Sequence, residues 1–76
     1  MDINIFISSF SDLFEETNVA DFDVNSEFRD LDEWDSFLAM SLIAMLDSEF
    51  GVKLSGDEIK SANTIGELFN IVKNKK

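Results

Sequence analysis

The triplet Asp35-Ser36-Phe37 places a carboxylate, a hydroxyl and an aromatic ring where an acidic segment gives way to a long apolar run. Asp35 is a favourable N-cap residue, because its carboxylate can accept hydrogen bonds from the first amides of a helix. Ser36 would then lie at the positive end of the helix dipole, where a covalently attached phosphate is stabilised. In isolation such a serine is an ordinary first-turn residue. The surroundings of Ser36 indicate instead that this serine is a site of covalent modification.

The composition offers no catalytic group to accompany this serine. The chain contains no cysteine and no histidine, so it lacks a thiolate nucleophile, a zinc ligand set and the usual general base near neutral pH. We therefore predict no catalytic residues and no enzyme activity. A cysteine-free chain suits the reducing cytoplasm, and no apolar stretch approaches the roughly 18 residues needed to span a bilayer. The expected location is cytoplasmic, without membrane insertion.

The charge balance narrows the class of partner. Six basic and sixteen acidic residues give a formal net charge of −10. Such a field repels nucleic acids and anionic membranes, and it steers the protein toward basic patches on other proteins. Solubility alone is the alternative explanation for this acidity.

One acidic segment begins like an EF-hand calcium loop. Asp21, Asp23 and Asn25 occupy the first, third and fifth positions of such a loop. The sixth position, however, is Ser26 instead of glycine, and the twelfth is Asp32 instead of a bidentate glutamate. We predict no metal site, and keep a small acidic calcium-binding or adaptor module without a covalent cofactor as the alternative function.

Apolar residues at three- and four-residue steps predict a first helix from Asp2 or Ile3 to Glu16 or Thr17. The next segment, from Asn18 to Asp35, has no clear period, and its length suggests an ordered functional loop. Its apolar residues are predicted to hold it against the core: Val19, Phe22, Val24, Phe28, Leu31 and Trp34.

The remaining helices are marked by their caps. The second helix is predicted from Ser36 to Phe50, and it stops at Gly51, a favourable residue for a helix end. Ser55-Gly56-Asp57-Glu58 and Thr64-Ile65-Gly66-Glu67 both have the pattern of a capping box. The helix after the first box is short, ending near Ala62.

These elements predict an all-α fold: a small antiparallel bundle of three principal helices plus one short helix, with a long ordered loop between the first and second helices. Residues 1–76 are expected to form one domain. The second helix is apolar on more than one side, which indicates either complete burial or a contact surface.

The pattern of the second half of the chain resembles the acyl carrier protein family. The resemblance extends from about Leu31 to Val72, and from Met1 to Asp30 it is limited to helix placement. It is carried by Asp35-Ser36-Phe37 at a helix start, Leu42, Phe50-Gly51-Val52, Leu54, Ile59, Thr64-Ile65 and Leu68.

The resemblance implies that Ser36 carries 4′-phosphopantetheine through a phosphodiester and that the thiol of this arm holds an acyl group as a thioester. Asp35 and Phe37 then flank the attachment point and are read by the phosphopantetheinyl transferase. Further expected partners are acyl-transferring, ligase or synthase enzymes with basic or apolar docking patches, in fatty-acid, surface-glycan or secondary-metabolite biosynthesis. The carrier is expected to be a monomer.

The chain departs from the pattern of fatty-acid carriers in its second helix. Such carriers commonly have acidic residues two and five positions after the serine, where this chain has Leu38 and Ser41. Phe37 also replaces a leucine. The helix is therefore less acidic, which favours a specialised carrier over a general one. The predicted partner-binding residues are Leu38, Met40, Ser41, Met45 and Asp47.

Overall fold

The computed structural model describes residues 2–75, apart from the side chain of Val19. Four α-helices account for most of this range: α1 (Ile3–Ser11), α2 (Ser36–Phe50), α3 (Gly56–Ser61) and α4 (Ile65–Lys75). Two short 3₁₀ turns, Val19–Asp21 and Phe28–Asp30, lie in the segment between α1 and α2. No strand occurs within the described range, which confirms the predicted all-α bundle of three longer helices and one short one.

Helix α1 is shorter than its apolar pattern predicts. It ends at Ser11, and the N–H groups of Leu13 and Phe14 donate to the carbonyls of Phe10 and Ser11 over 3.2 and 3.0 Å. These i→i−3 bonds tighten the chain into a turn. The predicted end near Glu16 or Thr17 is therefore wrong. Phe14 is nevertheless buried in the core. The three- and four-residue spacing of apolar residues therefore continues past the end of the helix.

Helix α2 has the predicted boundaries. Its last turn ends at Gly51, whose φ of 66° lies in the left-handed region that glycine adopts at little cost. The N–H of Gly51 donates to the carbonyl of Asp47, and that of Val52 donates to the carbonyl of Leu46, each over 3.1 Å. These two bonds close the last turn of α2.

Both predicted caps are present at the starts of α3 and α4. At α3 the capping box is complete, since Ser55 Oγ accepts from the Glu58 N–H and the Glu58 carboxylate accepts from the Ser55 N–H. At α4, Thr64 Oγ1 accepts from the Glu67 N–H over 3.2 Å, while the Glu67 carboxylate lies 3.5 Å from Thr64 Oγ1. The second cap therefore consists of the bond from the Glu67 N–H to Thr64 Oγ1 and a contact between the Thr64 and Glu67 side chains.

Aromatic rings fill much of the core. Phe10 is at the centre, with Phe14, Phe22 and Phe28 at ring-centroid distances of 5.4, 5.5 and 5.4 Å. Ring contacts with centroid distances between 5.1 and 6.4 Å join seven of the eight phenylalanines and the single tryptophan into one network. The eighth phenylalanine, Phe37, lies outside this network with 74% of its surface exposed.

The long segment between α1 and α2 is held against the bundle largely as predicted. Phe22 and Phe28 are buried, and Leu31 and Trp34 pack against the core from half-buried positions. Val24 is an exception, because its side chain is 42% exposed and the segment is held there by its backbone. The prediction for Val19 falls on a side chain outside the described residues.

Candidate functional site

The segment that leads into α2 presents Ser36 at the protein surface. Ser36 is the first residue of α2 and is exposed. The preceding residue, Asp35, has extended backbone angles and caps the helix, because its Oδ1 accepts from the Leu38 N–H over 2.9 Å. The first turn of α2 contains no acidic residue. The site therefore combines an exposed hydroxyl with the positive end of a helix dipole, a combination that can accommodate a covalently bound phosphate.

The residues before Asp35 are fixed from two sides. On the core side, the Trp34 ring packs at a centroid distance of 5.2 Å from Phe28 and 6.4 Å from Phe14. On the outer side, the Glu33 carboxylate accepts from the N–H groups of Glu15 and Glu16 and from the Thr17 hydroxyl. The start of α2 is thus fastened to the turn that follows α1.

The donors around Glu33 also affect its titration. Partial desolvation would by itself raise the pKa of the Glu33 carboxyl, but this effect is outweighed by hydrogen bonds from Glu15, Glu16 and Thr17. The pKa of Glu33 therefore lies below its ordinary value, and the carboxylate form is the one that the turn stabilises.

Two large apolar side chains lie exposed on α2 beside Ser36. Phe37 is 74% exposed and Met40, one turn further along, is 70% exposed. Ala44 extends the same side of the helix, since the spacing of three and four residues places all three on one face. We call Phe37, Met40 and Ala44 the apolar face of α2. An exposed apolar face of this kind is typical of a surface that contacts a partner.

The predicted partner-binding residues divide between the surface and the core. Met40 and Asp47 are exposed and Ser41 is half-buried, so these three are accessible. Leu38 and Met45 are each only 6% exposed and belong to the core. The expectation that these two side chains contact partners is therefore wrong, because nearly every position of α2 is apolar and sequence spacing alone does not reveal which side faces the bundle.

A shallow cleft of about 210 Å³ adjoins Ser36 on the side toward α1. It lies between the turn that follows α1 and the first turn of α2. Its lining combines carboxylates with apolar side chains: Leu13, Glu15, Glu33, Asp35, Phe37 and Leu38.

Comparison with known proteins decides the family. The family model described as "Phosphopantetheine attachment site" matches residues 7–72, which is most of the chain and includes all four helices in whole or in part. The chain belongs to the phosphopantetheine attachment family. This result confirms the resemblance to acyl carrier proteins, and it makes the chain a carrier with 4′-phosphopantetheine as its covalent cofactor. No curated protein and no solved structure gave a significant match.

Family membership also bears on the alternative function. A calcium-binding or adaptor module without a covalent cofactor does not agree with a match to phosphopantetheine carriers. In the acidic segment itself, Asp23 Oδ1 accepts from the Asn25 N–H over 2.8 Å, and the Asp23 N–H donates to Ser26 Oγ over 2.9 Å. Asp23 is therefore engaged in a local turn. Residues 2–75 contain no cluster of three or more potential metal ligands.

Three anchoring residues of this carrier were missed by sequence reasoning. Glu33 holds the turn after α1, Arg29 donates from Nε to the Ala62 carbonyl over 3.0 Å, and Gly66 donates its N–H to the Val24 carbonyl over 2.9 Å. Each joins residues at least 16 positions apart in the sequence, so no local pattern predicts it. The glycine was the one available signal, because a glycine in a helix costs stability and can have a packing reason.

The described part of this carrier includes no helix long and apolar enough to cross a membrane.

Proposed function

We propose that residues 1–76 form one non-catalytic carrier domain in which 4′-phosphopantetheine is attached through a phosphodiester to Ser36 Oγ. The observation that carries this proposal is the position of Ser36: exposed, first in α2, behind the Asp35 cap and inside the matched range. When bound, the arm supplies a thiol on which acyl groups are held as thioesters. The chain itself holds the arm and presents it to other proteins.

Six of the eight other serines have side-chain oxygens that take part in hydrogen bonds, which favours Ser36 over them, while Ser8 and Ser41 lack both the Asp35 cap and a place at a helix start. The hydroxyls of Ser11, Ser48 and Ser61 each donate to a carbonyl three residues earlier. Ser55 Oγ accepts within its capping box, and Ser26 Oγ accepts from the Asp23 N–H. The Ser36 hydroxyl takes part in none of the side-chain hydrogen bonds found among residues 2–75. Its attachment to an arm would therefore disrupt no contact of the fold.

The local charge distribution also fits a phosphodiester at Ser36. A negative group at the start of α2 is stabilised by the helix dipole and by amides of the first turn. Because residues 36–39 contain no carboxylate, the new charge meets no acidic neighbour within the helix. Asp35 directs one carboxylate oxygen to the Leu38 N–H, which partly balances its own charge.

We further propose that the partners recognise the apolar face of α2. A phosphopantetheinyl transferase must first read Asp35 and Phe37 beside the attachment point. Acyl-transferring, ligase or synthase enzymes would then dock against Phe37 and Met40, with Ser41 and Asp47 at the margin. Ser41 stands on this surface where a general fatty-acid carrier has an acidic residue, which favours a specialised carrier of acyl, surface-glycan or secondary-metabolite biosynthesis that acts as a cytoplasmic monomer.

Intact-mass measurement tests the attachment. The chain is incubated with coenzyme A and a broad-specificity phosphopantetheinyl transferase, and we expect the addition of one arm. Ser36→Ala should add none, whereas Ser48→Ala, a matched change in the same helix, should be modified like the parent. Modification of the Ser36→Ala variant would refute the assignment, as would an unmodified parent with several transferases.

A further inference from the structure

The Glu33 carboxylate connects two segments that are distant in the sequence. Its Oε2 accepts from the Glu15 N–H over 2.7 Å and from the Glu16 N–H over 3.3 Å. Its Oε1 accepts from the Glu16 N–H over 3.2 Å and from the Thr17 hydroxyl over 3.1 Å. We call this set of contacts the Glu33 clasp. Both oxygens are used, so the arrangement is specific for a carboxylate.

The Glu33 clasp lies in acidic surroundings, where repulsion between carboxylates must be offset. Glu33 lies among like charges, since Glu15 and Asp35 line the same cleft and the chain carries a net charge of −10. Like charges disfavour an additional carboxylate at this place. The N–H and O–H donors of the turn offset that repulsion, which they achieve only while the turn and Glu33 keep their relative positions.

The position of the clasp links it to Ser36. Glu33 precedes Ser36 by three residues, with Trp34 and Asp35 between them. Trp34 is packed against Phe14, which directly precedes the clasped turn, so the two contacts hold the same pair of segments from opposite sides. Removal of the clasp would leave the packing of Trp34 against Phe14 in place. The backbone at Asp35 and Ser36 would then no longer be held to the turn that follows α1.

We propose that Glu33 is a positioning residue for the modification of Ser36. By fastening the end of the long loop to the turn after α1, it fixes the backbone from which α2 begins and holds Asp35, Ser36 and Phe37 in the arrangement that the transferase binds. The inference rests on the proposed attachment of the arm to Ser36.

The expected effect follows from the population of the binding-competent state. If loss of the clasp leaves only a fraction of molecules with the start of α2 correctly placed, the apparent KM for the carrier rises by the inverse of that fraction. A competent fraction between about one third and one tenth gives a KM about three- to tenfold higher. The value of kcat should stay close to that of the parent, because every bound molecule is already competent.

The experiment compares Glu33→Gln with Glu16→Gln. Both remove one negative charge from the same region, but the Glu16 carboxylate takes part in none of the side-chain hydrogen bonds described for residues 2–75, whereas its N–H belongs to the clasp. KM and kcat for the carrier are measured with coenzyme A and a phosphopantetheinyl transferase, together with amide hydrogen exchange at Glu15 and Glu16. We expect a raised KM and faster exchange for Glu33→Gln, and parental values for Glu16→Gln.

The outcomes separate this inference from the carrier assignment. If the parent is modified at Ser36 and Glu33→Gln shows faster exchange with an unchanged KM, the clasp is structural only and the positioning role is wrong. Unchanged exchange, or a lower kcat at the parental KM, overturns it as well. If the parent is modified elsewhere or not at all, the carrier assignment fails first and the inference is withdrawn with it.

A second variant covers the case in which Glu33→Gln does not fold, as judged by circular dichroism. Thr17→Val keeps the size of the side chain and deletes one donor to Glu33. It should raise KM in the same direction by a smaller factor. A parental KM for Thr17→Val would then overturn the proposal.

Discussion

Replacement of Gly66 by alanine is expected to destabilise the protein, although alanine is the better helix former. A Cβ atom at Gly66 would lie 2.9 Å from the Val24 carbonyl oxygen and 3.3 Å from the Val24 Cβ. The first distance is too short for a relaxed contact, so the segment around Val24 has to move away. That movement lengthens the Gly66 N–H···O=C Val24 hydrogen bond, which is now 2.9 Å.

The magnitude can be estimated from three contributions. Overpacking costs about 1–3 kcal/mol, and a weakened backbone hydrogen bond costs about 0.5–1.5 kcal/mol. The higher helix propensity of alanine returns about 1 kcal/mol. We therefore expect a net loss of about 2 kcal/mol, within a range of about 0.5–3.5 kcal/mol. For a domain of this size, 2 kcal/mol corresponds to a melting temperature lowered by about 8–16 °C.

The other two glycines provide matched controls with different expected signs. No atom lies within 4 Å of a Cβ at Gly56, so Gly56→Ala should stabilise the protein by about 0.4–1 kcal/mol through the unfolded state. Gly51 is equally open but has a φ of 66°, so Gly51→Ala should cost about 1 kcal/mol of backbone strain. The series thus separates steric contact, strain and propensity.

Urea unfolding measures all three variants. Helix content is followed by circular dichroism, and the fluorescence of Trp34 reports the end of the long loop, since its ring packs against Phe28 and Phe14. If Gly66→Ala is as stable as the parent while Gly56→Ala gains stability as expected, the segment around Val24 does not lie tightly against α4, and the reasoning is refuted.

Two further predictions concern α2 and the Glu33 clasp. Leu38→Asp should prevent stable folding because it places a carboxylate in the core, whereas Met40→Glu should change the free energy of unfolding by no more than about 0.5 kcal/mol, as urea denaturation can establish. If both variants are equally stable, the assignment of faces on α2 is wrong. The lowered pKa of Glu33 means that its stabilisation is present above the ordinary glutamate pKa of about 4.3 and is lost as the pH falls through the lowered value. The stability advantage of the parent over Glu33→Gln should therefore shrink as the pH falls below that ordinary value, and an advantage that is constant with pH would contradict this.

The sequence was most informative where local chemistry decides the structure. Asp35 and Gly51 mark the two ends of α2 correctly, because caps depend on residues within one turn of the helix end. The end of α1 was mispredicted for the opposite reason. The amides of Glu15 and Glu16 leave the helix to donate to Glu33, which follows them by 17 or 18 residues, and no periodicity reports such a partner.

The faces of α2 were a different kind of problem. From Phe37 to Leu46 the helix contains no charged residue, so its apolar residues surround the axis and do not define one buried stripe. Tertiary packing alone selects Leu38, Leu42 and Met45 for the core and leaves Phe37 and Met40 outside. The sequence therefore predicts a group of candidate partner-binding residues on α2. It does not show which of them are exposed.

The burial of Leu38 changes what the departure from acidic carriers means. An acidic residue at this position would be buried in this fold, so leucine there reflects packing and says little about partner choice. If partners dock on the apolar face of α2, as we propose, their choice depends on that face, with Asp35 at one end and Asp47 at the other. These two residues are twelve positions apart, which corresponds to about 18 Å along a helix. The complementary surface should therefore carry an apolar recess between two basic patches at about that spacing, and an enzyme with a continuous basic patch should bind this carrier weakly.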